Sequence, residues 1–220
     1  MTVKKANLTR ANRGSKQARA QVTRSKILKM ASRCLVEDGI QSLRYAQIAK
    51  RAKVPQALMG YHFPNIDALL IEMVQLELIK LKDLSVERVE RNASNPKKAL
   101  ISYIKAPFDL AATDLEFRAT WSAFYHLATV NENFAKLNAS IRETGRDRIM
   151  NLLTMVLATE GYLTGNNLMS REKLIELATV VQGIITGLCM ISATATKNEF
   201  KQIGELAVKS SLQALGIDDR

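Results

Sequence analysis

Proline, glycine, cysteine and histidine are all scarce in this chain, and each shortage excludes a class of structure or chemistry. Four Pro and ten Gly in 220 residues leave few sites for tight turns, and no repeated hairpin pattern occurs. Cys34 and Cys189 lie in apolar stretches without metal-ligand spacing, which is typical of small core residues in a reducing compartment. The sequence therefore predicts an all-α protein with no disulfide framework and no metal site.

Catalytic side chains are also few. The only histidines are His62 and His126, and the chain shows no Ser-His-Asp arrangement, glycine-rich phosphate loop or His/Cys cluster. We therefore predict that the protein is not an enzyme and requires no cofactor.

Acidic residues are nearly missing from positions 1–62, and this asymmetry indicates the kind of partner. That segment holds 14 Lys or Arg but only Glu37 and Asp38 as acids, a net charge of +12. The remaining 158 residues hold 18 basic and 19 acidic groups, a net charge of −1. A solvated charged face would also be basic, but a basic segment on a near-neutral remainder favours a nucleic-acid docking surface joined to a second unit.

The N-terminal residues predict a flexible basic arm over positions 1–20. Basic side chains recur through the first 26 residues, and no apolar block follows them as it would in a secretory signal. Such an arm could follow a phosphate backbone, enter a minor groove or be a disordered leader. The expected location is cytoplasmic.

Residues 177–196 carry no charge and are long enough to cross a bilayer. Gln182, Ser192, two Gly and four Thr dilute the hydrophobicity, and no aromatic belt flanks the segment. We therefore expect a helix in a soluble subunit interface, and no membrane partner.

Apolar periodicity divides the chain into helices. We expect Gly39 to end the first in a left-handed cap, Pro55 to occupy a first helical position, and Asn65 to be an N-cap. A loop is expected around Gly161 and Gly165. The predicted helices cover about 21–37, 45–52, 55–62, 66–91, 97–112, 114–130, 133–160, 170–196 and 199–215. The predicted domains are a DNA-binding unit over 21–65 and a ligand-binding and dimerisation unit over 66–220.

Residues 45–63 read as two short helices joined by a tight turn, a helix-turn-helix that follows an amphipathic helix. The major groove of DNA admits one α-helix, so we expect the second short helix to be the recognition helix. Gln56 could pair with an adenine edge, Ala57 could meet a thymine methyl, and Gly60 could let the backbone approach closely. Arg51 is a further phosphate candidate. The predicted DNA-binding residues are Arg44, Lys50, Lys53, Gln56, Ala57, Gly60, Tyr61 and His62.

The order Ala46 to Ala52, then Val54, His62-Phe63 and Asp67 to Leu70, resembles the TetR family of bacterial transcriptional regulators. Trp121 to Phe124, with Leu137-Asn138, loosely resembles the choline-responsive (BetI-like) subgroup. The resemblance implies a ligand-responsive regulator, commonly a repressor, with a variable ligand domain.

Five positions depart from the family pattern. Arg44 and Pro55 stand where the family often has a Ser or Thr cap. Lys53 stands where the turn usually has Gly, so it would have to adopt a left-handed conformation. Gly60 replaces a common Tyr, and Ile66 replaces a Lys that often contacts phosphate.

Two further sites are expected in the predicted C-terminal unit. Two reading units in a homodimer would match a palindromic operator in double-stranded DNA, so the last two helices are expected to pair with a second copy. The predicted dimerisation residues are Leu177, Val181, Ile184, Gly187, Leu188, Leu206 and Ser210.

Aromatic residues concentrate in the middle of the chain and could enclose an effector, either a cation or an apolar molecule, although plain core remains an alternative. The predicted ligand-binding residues are Phe108, Phe117, Trp121, Phe124 and Tyr125. The sequence does not identify the effector. It also leaves open whether the protein is a repressor or an activator.

A different function class also remains open. A helical interaction or adaptor protein could use the basic arm to bind nucleic acid without sequence choice. Preference for one palindrome over scrambled DNA separates the two.

Overall fold

The computed structural model describes residues 2–159 and 169–217. Within those ranges the chain forms α-helices and one 3-10 turn, with no strand, so the predicted all-α class is confirmed. The loop expected around Gly161 and Gly165 lies outside the described residues. The helices are α1 Thr2–Asp38, α2 Tyr45–Ala52, α3 Ala57–His62, α4 Ile66–Arg91, α5 Pro96–Thr113, α6 Leu115–Val130, α7 Glu132–Thr159, α8 Arg171–Ile191 and α9 Lys197–Leu215, and the 3-10 turn is Ile40–Ser42.

Three helix ends differ from the prediction. Helix α1 begins at Thr2 rather than near Gln21, so it includes residues 2–20, where the sequence predicts a flexible basic arm. Helix α3 begins at Ala57, because Pro55 instead accepts a tight-turn hydrogen bond from the Leu58 N–H at 3.0 Å. Helix α8 ends at Ile191, and a turn closed by the Ala195 N–H and the Ser192 carbonyl follows.

The caps explain why the other ends lie where they do. The Asn65 side chain accepts the Ala68 N–H at 2.8 Å, which confirms the predicted N-cap of α4. Thr196 and Glu199 form a reciprocal capping box at the start of α9. Gly39 has φ 76° and ψ −178°, so it has the predicted positive φ but not the left-handed helical ψ, in a region that essentially only Gly occupies.

The chain divides into two compact units, which we call the N-terminal unit (residues 1–73) and the C-terminal unit (residues 74–220). The expected boundary at 65/66 lies eight residues earlier. The reason is that the first two turns of α4 bury Leu69, Leu70 and Met73. The N-terminal unit has its own core, which includes Ile27, Ala31, Ile48, Met59, Phe63 and Leu69.

The core of the C-terminal unit lies among α5, α7, α8 and α9. Gly204 of α9 permits a close approach, since an added Cβ would lie only 3.2 Å from the Cβ of Phe108. Fully buried core residues include Leu100, Ile104, Phe108, Leu153, Val156, Val181 and Phe200.

Helix α8 is the one described helix long and apolar enough to cross a membrane by length and composition. Its apolar window has a mean hydropathy of 1.9, yet only 11% of that window is buried. Burial of an apolar face is the usual driving force for helix packing. Much of the apolar surface of α8 therefore has no partner among the described residues.

Candidate nucleic-acid interface and ligand cavity

Most of the predicted DNA-binding residues are exposed to solvent. Seven of the eight, all except His62, are exposed, and the Tyr61 ring is 70% accessible. The opposite face of α3 is buried through Met59, and Phe63 follows it into the core. The N-terminal unit therefore holds α3 by its apolar face and presents Gln56, Ala57, Gly60 and Tyr61 outward.

The turn between α2 and α3 has the left-handed geometry predicted for Lys53. Its φ is 52° and its ψ is 47°. The Lys53 N–H donates to the Lys50 carbonyl at 3.2 Å and the Val54 N–H donates to the Ala49 carbonyl at 3.1 Å. This pair of bonds is a Schellman motif, which satisfies the last carbonyls of α2. A non-glycine residue adopts this conformation at a cost of about 1 kcal/mol.

Gly60 has no packing reason to be glycine. A Cβ added there would meet no atom within 4 Å, and its φ is not positive. A helical Gly costs about 1 kcal/mol relative to Ala. An exposed, destabilising Gly at the centre of the outward face is consistent with close approach by a partner's backbone or bases.

Arg24 and Tyr45 fix the end of α3. The Arg24 Nε donates to Glu72 Oε1 at 2.9 Å, its Nη2 pairs with Glu72 Oε2, and its Nη1 donates to the His62 carbonyl at 2.5 Å. The same guanidinium lies 4.4 Å from the centroid of the Phe63 ring. The Tyr45 hydroxyl donates to the Phe63 carbonyl at 2.5 Å. These bonds position α3 relative to α1, α2 and the start of α4.

Sequence reasoning missed this role of Arg24, which it counted only as one more basic group near the N-terminus. The available signal was spacing. Arg24 precedes Ile27, Leu28 and Ala31, all buried, at the i, i+3, i+4 and i+7 positions of one helix face.

Arg51, which the sequence offers as a phosphate candidate, is already paired within the N-terminal unit. Its guanidinium pairs with Glu37 and, at 2.6 Å, with Asp38. Asp38 also accepts from the Gln47 amide at 3.2 Å. Both acids of residues 1–62 are thus engaged by Arg51, so they neutralise that side chain rather than the outward residues of α2 and α3.

His62 is half-buried, unlike the other predicted contacts. Burial lowers the pKa of its imidazole, and the nearby Arg24 charge lowers it further. The ring is therefore held in its neutral form near pH 7, so any contact with DNA would be a hydrogen bond rather than a charge pair.

The C-terminal unit encloses a cavity of about 760 Å³ that is lined from α4 through α9. Of the five predicted ligand-binding residues, Phe117, Trp121 and Tyr125 line it. Phe108 and Phe124 do not, and their prediction as lining residues is wrong. Phe108 packs against Gly204, and the Phe124 ring lies 6.2 Å from the Phe134 ring in the core.

The aromatic wall of the cavity is continuous, and its rings are buried or half-buried. The Trp121 ring centroid lies 6.0 Å from that of Phe117 and 5.5 Å from that of Tyr125. Burial raises the pKa of Tyr125 to about 12 and that of the Cys189 thiol to about 12. Such desolvation strengthens any electrostatic contact made inside the cavity. Tyr103 and His126 also line it.

The predicted dimerisation residues differ in how far they are buried. Gly187 and Leu206 are exposed, whereas Leu177, Ile184, Leu188 and Ser210 are half-buried. Val181 is completely buried in the subunit's own core, so its prediction as an interface residue is wrong. The exposed face of α8 is instead formed by Val180, Gly183, Gly187, Met190 and Ile191. Periodicity placed Val181 on the apolar stripe but could not tell which side of that stripe faces α7 and α9.

Comparison with known proteins supports the resemblance to the TetR family. The family profile described as "Bacterial regulatory proteins, tetR family" matches residues 27–73, which contain α2, α3 and the start of α4. The chain is 28% identical over 116 residues to the HTH-type transcriptional regulator BetI of Rhizobium meliloti (strain 1021), covering 53% of this chain and 57% of BetI. It is 25% identical over 172 residues to the HTH-type transcriptional regulator AcrR of Shigella flexneri, covering 77% of each. Residues 27–73 thus match the TetR family of bacterial regulatory proteins, and longer parts of the chain are similar to HTH-type transcriptional regulators at 28% and 25% identity.

A solved structure shares the fold of this chain. AibR, in complex with isovaleryl coenzyme A and operator DNA, superimposes with a TM-score of 0.63 at 15% identity, covering 86% of this chain and 97% of that one. The match to BetI covers less than two thirds of BetI's length.

The match to the TetR family gives three of the departures noted in the sequence a structural meaning. Lys53 takes the left-handed conformation that Gly usually provides in this turn. Gly60 leaves open space where a Tyr is common. Ile66, at the position of a frequent phosphate-contacting Lys, is half-buried. The N-terminal unit thus departs from the usual family side chains at Lys53, Gly60 and Ile66, within or next to its predicted DNA-binding segment.

Proposed function

We propose that this TetR-family regulator is a homodimeric, effector-responsive repressor that binds a palindromic operator through α3. The observation that carries the proposal is the outward face of α3. It presents Gln56, Ala57, Gly60 and Tyr61 to solvent within a segment, residues 1–62, whose only acids are engaged by Arg51. A short helix with small and polar outward groups fits a major groove, and surrounding cations supply the affinity for phosphate.

A dimer is supported by the unpartnered apolar face of α8. Val180, Met190 and Ile191 are 43%, 50% and 79% exposed, and the exposed Gly183 and Gly187 lie four residues apart. On α9, Leu206 is exposed as well. Burying these side chains against a second copy would remove them from water at about 25 cal/mol per Å². Two identical subunits would present two copies of α3 to two half-sites.

An effector site is supported by the cavity in the C-terminal unit. Its volume suits a small organic molecule. Helix α4 contributes Leu78, Leu81 and Lys82 to the cavity wall, and its first two turns belong to the core of the N-terminal unit. A ligand that binds one position of α4 more tightly than another would shift the population of DNA-binding states. The proposed location is the cytoplasm, where operator and effector meet.

The test is selection of bound sequences from random duplex DNA by the purified protein. The proposal predicts enrichment of a palindrome whose half-site centres lie about 34–36 Å apart or a multiple of that. Equal binding to the enriched duplex and to a scrambled duplex of the same composition would favour the adaptor alternative instead.

A further inference from the structure

The charges that line the cavity of the C-terminal unit are all of one sign. Lys82 comes from α4, Arg118 from α6 and Arg148 from α7. No Asp or Glu is among the described lining residues, and within the described part of the chain none of these three cations forms a salt bridge. A cavity of this composition repels a cationic ligand and attracts an anion.

Arg118 is held rigidly and still has hydrogen-bonding capacity to spare. Its Nη1 donates to the Ala195 carbonyl at 2.8 Å, and the guanidinium carbon lies 5.2 Å from the centroid of the Phe200 ring. Its Nε is buried and has no acceptor in the described structure. Nε and Nη2 form one edge of the guanidinium, and this edge matches the two oxygens of a carboxylate.

A second orphaned donor lies one helical turn away. The Trp121 indole N–H is buried and also lacks an acceptor among the described residues. Arg118 and Trp121 are three residues apart on α6, so they share a face, and both line the cavity. A buried donor without an acceptor costs free energy, so these two donors on one wall are available to an acceptor that arrives with a ligand.

Most of the remaining lining is apolar or aromatic. Phe117, Trp121 and Tyr125 form one wall, and Leu78, Ile141 and Ile185 lie on α4, α7 and α8. Burial also raises the pKa of the Tyr103 hydroxyl on α5, with the Arg148 charge acting in the opposite direction. The cavity thus offers a long apolar surface with its donors and cations on a few side chains.

From these observations we infer that the cavity binds an amphipathic monocarboxylate, with the carboxylate on the Nε edge of Arg118 and the apolar tail along the aromatic wall. Lys82 and Arg148 add positive potential, and the Trp121 N–H adds a donor. The inference rests on the proposed function only in naming this ligand as the effector. It excludes the quaternary ammonium that the likeness to the choline-responsive subgroup would imply.

The test uses the full-length protein without DNA and the fluorescence of Trp121, which is the only tryptophan in the chain. The probes share one tail and differ in head group: octanoate, octanamide and octyltrimethylammonium. Dodecanoate and phenylbutanoate extend the carboxylate series. We expect saturable binding of a carboxylate, at least about tenfold tighter than the matched amide, and no tighter binding of the ammonium than of the amide. The inference is overturned if the ammonium binds more tightly than the amide, or if no carboxylate binds saturably.

Two variants test which side chain binds the carboxylate head group. Arg118→Gln should weaken carboxylate binding by about tenfold or more and leave amide binding unchanged. Arg148→Gln should weaken carboxylate binding by a smaller factor, and it provides an independent reading if the first variant fails to fold by circular dichroism. Lys136→Gln, which removes an exposed α7 cation outside the cavity, is the control. Equal carboxylate affinity in all three variants overturns the inference.

The outcome with DNA is separate. If a carboxylate binds through Arg118 but leaves operator affinity unchanged, the ligand class stands and the proposed effector response fails.

Discussion

Arg24 and Glu72 form a two-point ion pair that joins α1 to α4, and the same arginine also holds the last residues of α3. Its Nη1 donates to the His62 carbonyl, and its guanidinium lies over the Phe63 ring. A single side chain therefore connects α3, which carries predicted DNA-binding residues, to α1 and α4.

Arg24→Gln should lower both the free energy of unfolding and the affinity for the operator. The pair is partly exposed, so we expect a loss of about 1 kcal/mol in stability, measured by denaturant unfolding. The matched control is Lys26→Gln, which removes the same charge from an exposed position two residues away. Equal effects of the two variants on stability and on affinity would show that Arg24 acts only through its charge.

Gly60→Ala should separate stability from DNA binding. The added methyl meets no atom within 4 Å, so the helix should gain up to about 1 kcal/mol in thermal or denaturant unfolding. The same methyl would lie between α3 and the bases, so operator affinity should fall. A Gly60→Ala protein that is more stable and binds the operator as tightly as the parent would show that the backbone of α3 does not approach DNA closely.

Val180→Glu should produce a monomer. Val180 lies on the exposed apolar face of α8, and a carboxylate there would be desolvated in a dimer. Val130→Glu is the matched control, because Val130 is 71% exposed at the end of α6. Light scattering after size-exclusion chromatography checks the mass. A dimeric Val180→Glu protein would place the interface elsewhere.

Glu77→Gln should stabilise the protein at neutral pH. Burial raises the pKa of the Glu77 carboxyl above its ordinary value of 4.5, with the Lys80 hydrogen bond acting in the opposite direction, and its Oε2 has no partner in the described structure. The folded state therefore binds this proton more tightly than the unfolded state does. The stability that this proton contributes is fully present below pH 4.5 and is lost as pH rises through the raised folded pKa.

The gap in unfolding free energy between the Gln variant and the parent should accordingly be present at pH 7 and close toward pH 4. Glu90→Gln, an exposed position on the same helix, provides the baseline. A gap that widens on acidification would mean that the carboxylate is stabilised in the folded state.

Helix positions were largely predictable because local chemistry sets them. Asn65 caps α4 through its own side chain, and Lys53 is left-handed because the Schellman bonds of α2 require it. The exposed face of α3 followed from the same periodicity that buries Met59. These features depend on residues within one or two turns of each other.

The errors concern contacts between distant parts of the chain. Phe108 and Phe117 are equally apolar in the sequence, yet Phe108 packs on Gly204 and Phe117 lines the cavity. Val181 and Val180 are neighbours on α8, and only Val181 faces the core. In the sequence Arg24 is indistinguishable from the neighbouring cations, because its partner Glu72 lies 48 residues further along the chain. Periodicity indicates which residues share a helix face but not which neighbour that face meets.

We propose that the outward side chains of α3 select the operator sequence. The most direct measurement is binding of Gln56→Ala and Tyr61→Phe to the enriched palindrome and to duplexes with each half-site base pair changed, at fixed salt. We predict that at least one variant relaxes preference at particular base pairs by about 1–3 kcal/mol while its binding to scrambled DNA is unchanged. Unaltered preference at every base pair in both variants would contradict the account.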